Sequence, residues 1–163
     1  MIYEFCAENV TLLEKAMQAG ARRIELCDNL AVGGTTPSYG VTKAAVELAA
    51  DYDTTIMTMI RPRGGDFVYN DLEVAIMLED IRLTAQAGSQ GVVFGALTAD
   101  KKLDKANLEK LVAASKGMEI VFHMAFDELS EQDQLEAIDW LSQAGVTRIL
   151  TRAGVSGDSL EKR

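Results

Sequence analysis

Two segments of the chain repeat one short motif. Glu4-Phe5-Cys6 and Glu25-Leu26-Cys27 both read Glu-x-Cys, and in a β-strand a period of two puts the carboxylate and the thiol of each on one face. Neighbouring strands lie ~4.8 Å apart, so pairing of these segments in matching register brings Cys6 and Cys27 within reach of one soft metal ion. Thiolate and thioether donors favour Cu(I), and Met57 and Met59 share a parity on a third segment. The same residues also suit a plain core, where a free cysteine is a small hydrophobe and methionine fills gaps. His123 is the one histidine and no Cys-x-x-Cys occurs, so a His-rich zinc site is excluded.

A second group is cationic. Ile60-Arg61-Pro62-Arg63-Gly64-Gly65-Asp66-Phe67 follows the β-branched run that begins at Thr54, so two guanidinium groups sit where a buried strand gives way to a helix. Pro62 ends the ladder, and Gly64 and Gly65 allow a sharp turn. Buried cations need an anionic partner. For Arg61 and Arg63 that partner is either a carboxylate of the fold or a phosphorylated or carboxylated small ligand. Glu25, His123 and Asp127 are the groups placed to move a proton on such a ligand. The loop from Val32 to Gly40 offers backbone N–H groups that could cradle an anion. No lysine falls in a predicted strand, which argues against Schiff-base chemistry, and no Ser-His-Asp order with a nucleophile elbow is present.

The elements that must position these groups alternate strictly. Strands are predicted at Ile2–Cys6, Arg23–Cys27, Thr54–Ile60, Gly91–Leu97, Glu119–Ala125 and Val146–Thr151. Helices are predicted from an Asn9 cap through Gln18, then at Val41–Ala50, Leu72–Ala87, Lys105–Ala114 and Gln132–Gln143, with the first turn of a sixth in Ser156–Arg163. Gln18-Ala19-Gly20, Gln86-Ala87-Gly88 and Gln143-Ala144-Gly145 end three helices in the same way. Repeated βα units make a parallel sheet under helices. The first βα turn lacks Gly-x-Gly-x-x-Gly, against a dinucleotide fold. Glu4, Glu25 and His123 inside strands favour a (β/α)8 TIM-type barrel. Such barrels take ~250 residues, and these 163 residues provide about six βα units. The expectation is a single domain over residues 1–163, an incomplete TIM barrel that is either a truncated form or completed by another chain, with a homodimer or larger homo-oligomer burying the open side.

Apolar residues are 48% and charged residues 25% of the chain, a globular balance, and the net charge is −9. That acidity argues against nucleic acid as a partner, and no run approaches the ~18 apolar residues of a membrane span. Met1 to Cys6 carries no basic stretch before a long apolar one, and two cysteines make no disulfide scaffold. A cytoplasmic protein with reduced thiols is expected.

Four segments together resemble the CutC copper-homeostasis family: Ile24-Glu25-Leu26-Cys27, Gly33-Gly34-Thr35-Thr36-Pro37-Ser38-Tyr39-Gly40, Ile60 to Tyr69, and Phe122-His123-Met124-Ala125-Phe126-Asp127. The resemblance covers the chain and is most specific at Arg61-Pro62-Arg63-Gly64-Gly65-Asp66-Phe67. It implies a (β/α)8-type barrel in the cytoplasm, a role in copper tolerance, and Cu(I) bound by Cys6 and Cys27. The family's His-Arg-Ala-Phe-Asp reads His123-Met124-Ala125-Phe126-Asp127 here, which removes a guanidinium, and the family's Gly-rich seventh strand lies beyond the last residue. Two functions follow: a Cu(I)-binding protein without turnover, or a TIM-barrel enzyme on a small anionic substrate held by Arg61 and Arg63.

Overall fold

The computed structural model describes residues 1–152; the turn of helix expected in Ser156–Arg163 lies outside them. Strands β1 (Glu4–Glu8), β2 (Arg23–Cys27), β3 (Thr55–Met59), β4 (Gly91–Phe94), β5 (Glu119–Phe122) and β6 (Arg148–Ile149) form one sheet in chain order. Every pair is parallel. Helices α1 (Leu13–Gln18), α2 (Tyr39–Ala49), α3 (Asp71–Ala87), α4 (Lys105–Ala114) and α5 (Glu131–Ala144) connect successive strands. The six strands curl into part of a TIM-type barrel.

Local chemistry starts and stops the helices. Ser38, Asp104 and Ser130 accept a backbone N–H from the first turns of α2, α4 and α5, and Asn70 and Glu73 form a reciprocal capping box on α3. Gly88 and Gly145, at φ of 91° and 95°, end α3 and α5 as expected. The first helix is shorter than predicted. Asn9 does not cap it; its N–H extends the sheet by bonding the Cys27 carbonyl at 2.7 Å. Asn9 and Leu12 both take positive φ, and regular helix begins only at Leu13.

The sheet has two packed faces. Outside, Ile24, Leu26 and Ile56 pack on Leu13, Met17 and Ala45, while Val92, Phe94, Ile120 and Phe122 pack on α3, α4 and α5. Inside, Cys27, Met57, Met59, Val93 and Val121 form a small apolar plug. Gly91 makes room for it: a Cβ there would stand 2.1 Å from Met57 Cε. At the strand starts, Glu4 pairs with Arg23 and Glu119 with Arg148. Tyr3 and Phe5 are exposed on the β1 edge. No helix among the described residues is long and apolar enough to cross a membrane.

Candidate functional site

The repeated Glu-x-Cys motifs do meet, but not in matching register. β1 and β2 pair with a stagger that puts Cys6 opposite Glu25 and Glu8 opposite Cys27. Glu25 therefore stands between the thiols. Cys6 Sγ donates to Glu25 Oε1 at 3.5 Å and Cys27 Sγ to the same oxygen at 3.7 Å. The three potential ligand atoms all lie within 4.8 Å of one another. Cys27 and Glu25 are buried, whereas Cys6, on the outermost strand, is exposed. Burial raises the Glu25 pKa above the usual carboxylate range, and hydrogen bonds from Cys6 and Cys27 offset part of that. The Cys6 sulfur, burial and the Glu25 charge together push the Cys27 thiol up. A bound cation would reverse this balance, because it favours thiolate over thiol.

The β2–α2 loop closes over the cluster. Gly34 takes φ of 89°, and a Cβ there would lie 3.1 Å from Cys27 Sγ. Its neighbours spend their N–H groups within the fold: Gly33 on Leu30, Gly34 on Asn29, Thr35 on Asp28 and Thr36 on Arg61. The expected anion cradle is thus not formed by these N–H groups. The loop instead turns carbonyls toward Arg61. Arg61 Nη1 donates to Val32 O at 2.9 Å and Gly34 O at 3.1 Å, and Nη2 donates to Gly65 O at 2.7 Å. The backbone of Arg61 is fixed as well, by reciprocal bonds of 2.9 Å with Thr36.

The two arginines of the motif have different surroundings. Arg63 is half-exposed and pairs with Glu73 and Asp66. Its guanidinium lowers the Glu73 pKa and is itself held protonated chiefly by the Glu73 hydrogen bond. Arg61 is 3% exposed and forms no ion pair with a carboxylate among the described residues. Its guanidinium lies over the Phe67 ring at 4.8 Å, as that of Arg63 lies over Tyr69 at 5.5 Å. The matched spacing, Arg-x-Arg followed by Phe-x-Tyr, is the sequence signal that reveals Tyr69 as a member of this group.

His123, just past β5, is fully buried with its ring 4.9 Å from that of Phe67. Gly95 admits it, since a Cβ at that position would stand 2.7 Å from the imidazole. Nδ1 accepts the Ala125 N–H at 3.2 Å. Burial, reinforced by the Arg61 charge, pushes its pKa down to about 3. Asp127 accepts from Thr151 Oγ1 and from the Arg152 N–H, the latter at 2.9 Å. Among the described residues no hydrogen bond joins Glu25, His123 and Asp127. Glu25 belongs with the thiols, His123 with Phe67 and Arg61, and Asp127 with the segment after β6.

A parallel βα sheet curling around an inner plug, with polar groups gathered beyond the carboxyl ends of its strands, defines a TIM-barrel-type α/β protein. Residues 1–162 match the CutC family. The chain belongs to that family. It is 53% identical over 161 residues to a CutC family protein of Enterococcus faecalis, covering 99% of this chain and 77% of the relative. The crystal structure of a candidate copper homeostasis protein CutC from Streptococcus agalactiae superposes with a TM-score of 0.95 at 47% identity, over 99% of this chain and 77% of that one. A candidate phosphonomutase from Burkholderia cenocepacia shares the fold at a TM-score of 0.67 and 20% identity, over 93% and 62% of the two chains.

Proposed function

We propose that this protein binds Cu(I) through the Cys6 and Cys27 thiolates and serves copper homeostasis in the cytoplasm. The observation that carries this reading is the Cys6–Glu25–Cys27 group, three ligand atoms within 4.8 Å on two adjacent strands. The donor set suits the ion: two sulfurs match soft Cu(I), and the Glu25 carboxylate beside them offers a third ligand or takes up a thiol proton. Met59 borders the same loop glycine as Cys27, which adds a thioether to the surroundings. The copper homeostasis role named for the Streptococcus agalactiae protein supports the assignment. Residues 1–163 act as one partial barrel domain in this reading. A second copy of the chain covers the open β1 edge, where Tyr3, Phe5 and Leu12 are exposed.

The test is competition for Cu(I) against a colorimetric chelator under reducing conditions. Wild-type protein takes one equivalent, and Cys6→Ala and Cys27→Ala each lose tight binding. Unchanged affinity in both variants rejects the reading.

A further inference from the structure

The thiol group does not account for the polar residues just past the ends of β3 and β5. Three buried polar groups there are short of partners among the described residues: Arg61 Nε and His123 Nε2 have none, and the Tyr69 hydroxyl has only the Arg61 guanidinium beside it, which leaves its O–H without an acceptor. They are close in space. Arg61 and His123 both pack on the Phe67 ring, and the Arg61 guanidinium acts directly on the Tyr69 hydroxyl and on His123. Leaving a buried donor unpaired is costly, and most buried polar side chains in native proteins have a partner. Three in one place point to something that belongs there.

We propose that Arg61, Tyr69 and His123 form a receptor for the oxyanion of a small organic ligand, a phosphoryl or carboxylate group. Each of the three presents a donor. The Arg61 Nε–H is a donor by its chemistry. His123 Nδ1 accepts from the Ala125 N–H, so the neutral ring carries its proton on Nε2. The Tyr69 hydroxyl keeps its proton, because burial pushes its pKa up to about 12 against the pull of Arg61. Three donors and one cation call for a ligand that only accepts and carries negative charge.

The surroundings fit that ligand. Arg61, Phe67, Gly33 and Gly65 line a cavity of about 180 Å³; Tyr69 and His123 stand just outside its lining, His123 against Phe67 and Tyr69 beside Arg61. Two acidic residues line it as well, and each is already engaged: Asp127 by Thr151 and Arg152, and Glu128 by Lys101 at 3.2 Å. Next to it, and sharing Gly65, Phe67 and Glu128, lies a cleft of about 500 Å³ bordered by Val68, Leu97 and Ala99. The smaller space takes the charged group and the cleft takes the apolar body. Arg63 has no place in this receptor, since Glu73 and Asp66 occupy it.

The proposal is tested by calorimetric titration of the whole chain with sulfate, as a tetrahedral probe, and separately with acetate, as a planar one, at constant ionic strength. One of the two binds saturably, and which one identifies the phosphoryl or the carboxylate class. Tyr69→Phe weakens that binding about tenfold, the worth of one hydrogen bond to a charged group, and leaves the melting temperature of the free protein unchanged or higher. Arg61→Lys abolishes binding. If neither probe binds the wild type, or if Tyr69→Phe binds as well as wild type, the receptor does not exist. Cu(I) titration of Tyr69→Phe gives the wild-type result, which keeps the outcome separate from that of the thiol site.

Discussion

The thiol group and the arginine group sit on neighbouring strands and are held in opposite ways. Cys6, Glu25 and Cys27 touch through weak S–H···O contacts of 3.5 and 3.7 Å, and one of the three lies exposed on the outermost strand. Arg61 is anchored by three bonds from its guanidinium to two loops and by two more from its backbone to Thr36. The first is a set of donors joined to one another only through the Glu25 carboxylate. The second is a fastening on which the β2–α2 and β3–α3 loops both depend. The sulfurs are thus free to change partners, whereas Arg61 cannot be altered without moving the mouth of the sheet.

The largest effect is expected at that fastening. Arg61→Ala strips a partner from the carbonyls of Val32, Gly34 and Gly65, of which that of Gly34 is buried, and leaves a void over Phe67. With roughly 1–3 kcal/mol for the one buried carbonyl left unsatisfied and the truncation cavity added to it, we expect a loss of about 3 kcal/mol in urea unfolding. A loss below about 1 kcal/mol would show that the loops hold themselves and that the contrast is overdrawn.

His123 extends the comparison to pH. Its folded-state pKa is pushed down to about 3 by burial, against an ordinary value near 6.5. The unfolded chain takes up the proton below about 6.5 while the folded one refuses it until near 3, so the stability is complete above the first value and is lost as pH falls toward the second. The expected slope is about 1.4 kcal/mol per pH unit across that window. His123→Asn, which can still accept from the Ala125 N–H, should flatten it. An equal slope in the variant would assign acid sensitivity to the carboxylates instead.

The two groups were not equally legible in the sequence. Strand and helix alternation was visible because each unit carries its own punctuation, from the Asn70 cap to Gly88. The pairing of the thiols was half visible: periodicity gave the shared face, but the stagger that inserts Glu25 between Cys6 and Cys27 is set by how the sheet curls, which no local pattern encodes. The division of labour between Arg61 and Arg63 was hidden, since it depends on where Glu73 arrives from α3 and on which loop carbonyls turn inward. The Val32–Gly40 loop misled for the same reason. Its glycines read as donors for an anion, yet their N–H groups close the loop on itself. The short first helix reflects a similar competition, in which the Asn9 N–H goes to the sheet.

Gly34 touches both groups, and its substitution sharpens the comparison. Gly34→Ala places a Cβ 3.1 Å from Cys27 Sγ at a φ of 89°, while its carbonyl still has to reach Arg61 Nη1. A positive φ costs an alanine about 1–2 kcal/mol, and the tight sulfur contact adds to it. We expect a loss of about 2 kcal/mol together with weakened Cu(I) binding. Lost stability with unchanged copper affinity would mean that the loop restrains the arginine and leaves the thiols alone.

The smallest effect separates the two cysteines. Cys27 is fully buried in the plug of Met57, Met59, Val93 and Val121, so Cys27→Ala leaves a cavity and should cost about 1–2 kcal/mol. Cys6 is exposed, so Cys6→Ala should change stability by less than about 0.5 kcal/mol. For Cu(I) the order disappears, because two-sulfur binding fails when either is removed. The discriminating measurement is therefore the pair of quantities on each variant: urea midpoints that differ and copper affinities that fall alike. If affinity instead follows stability, with Cys27→Ala impaired and Cys6→Ala near normal, the metal depends on the buried thiol and the fold around it, and the exposed thiol on β1 is no ligand.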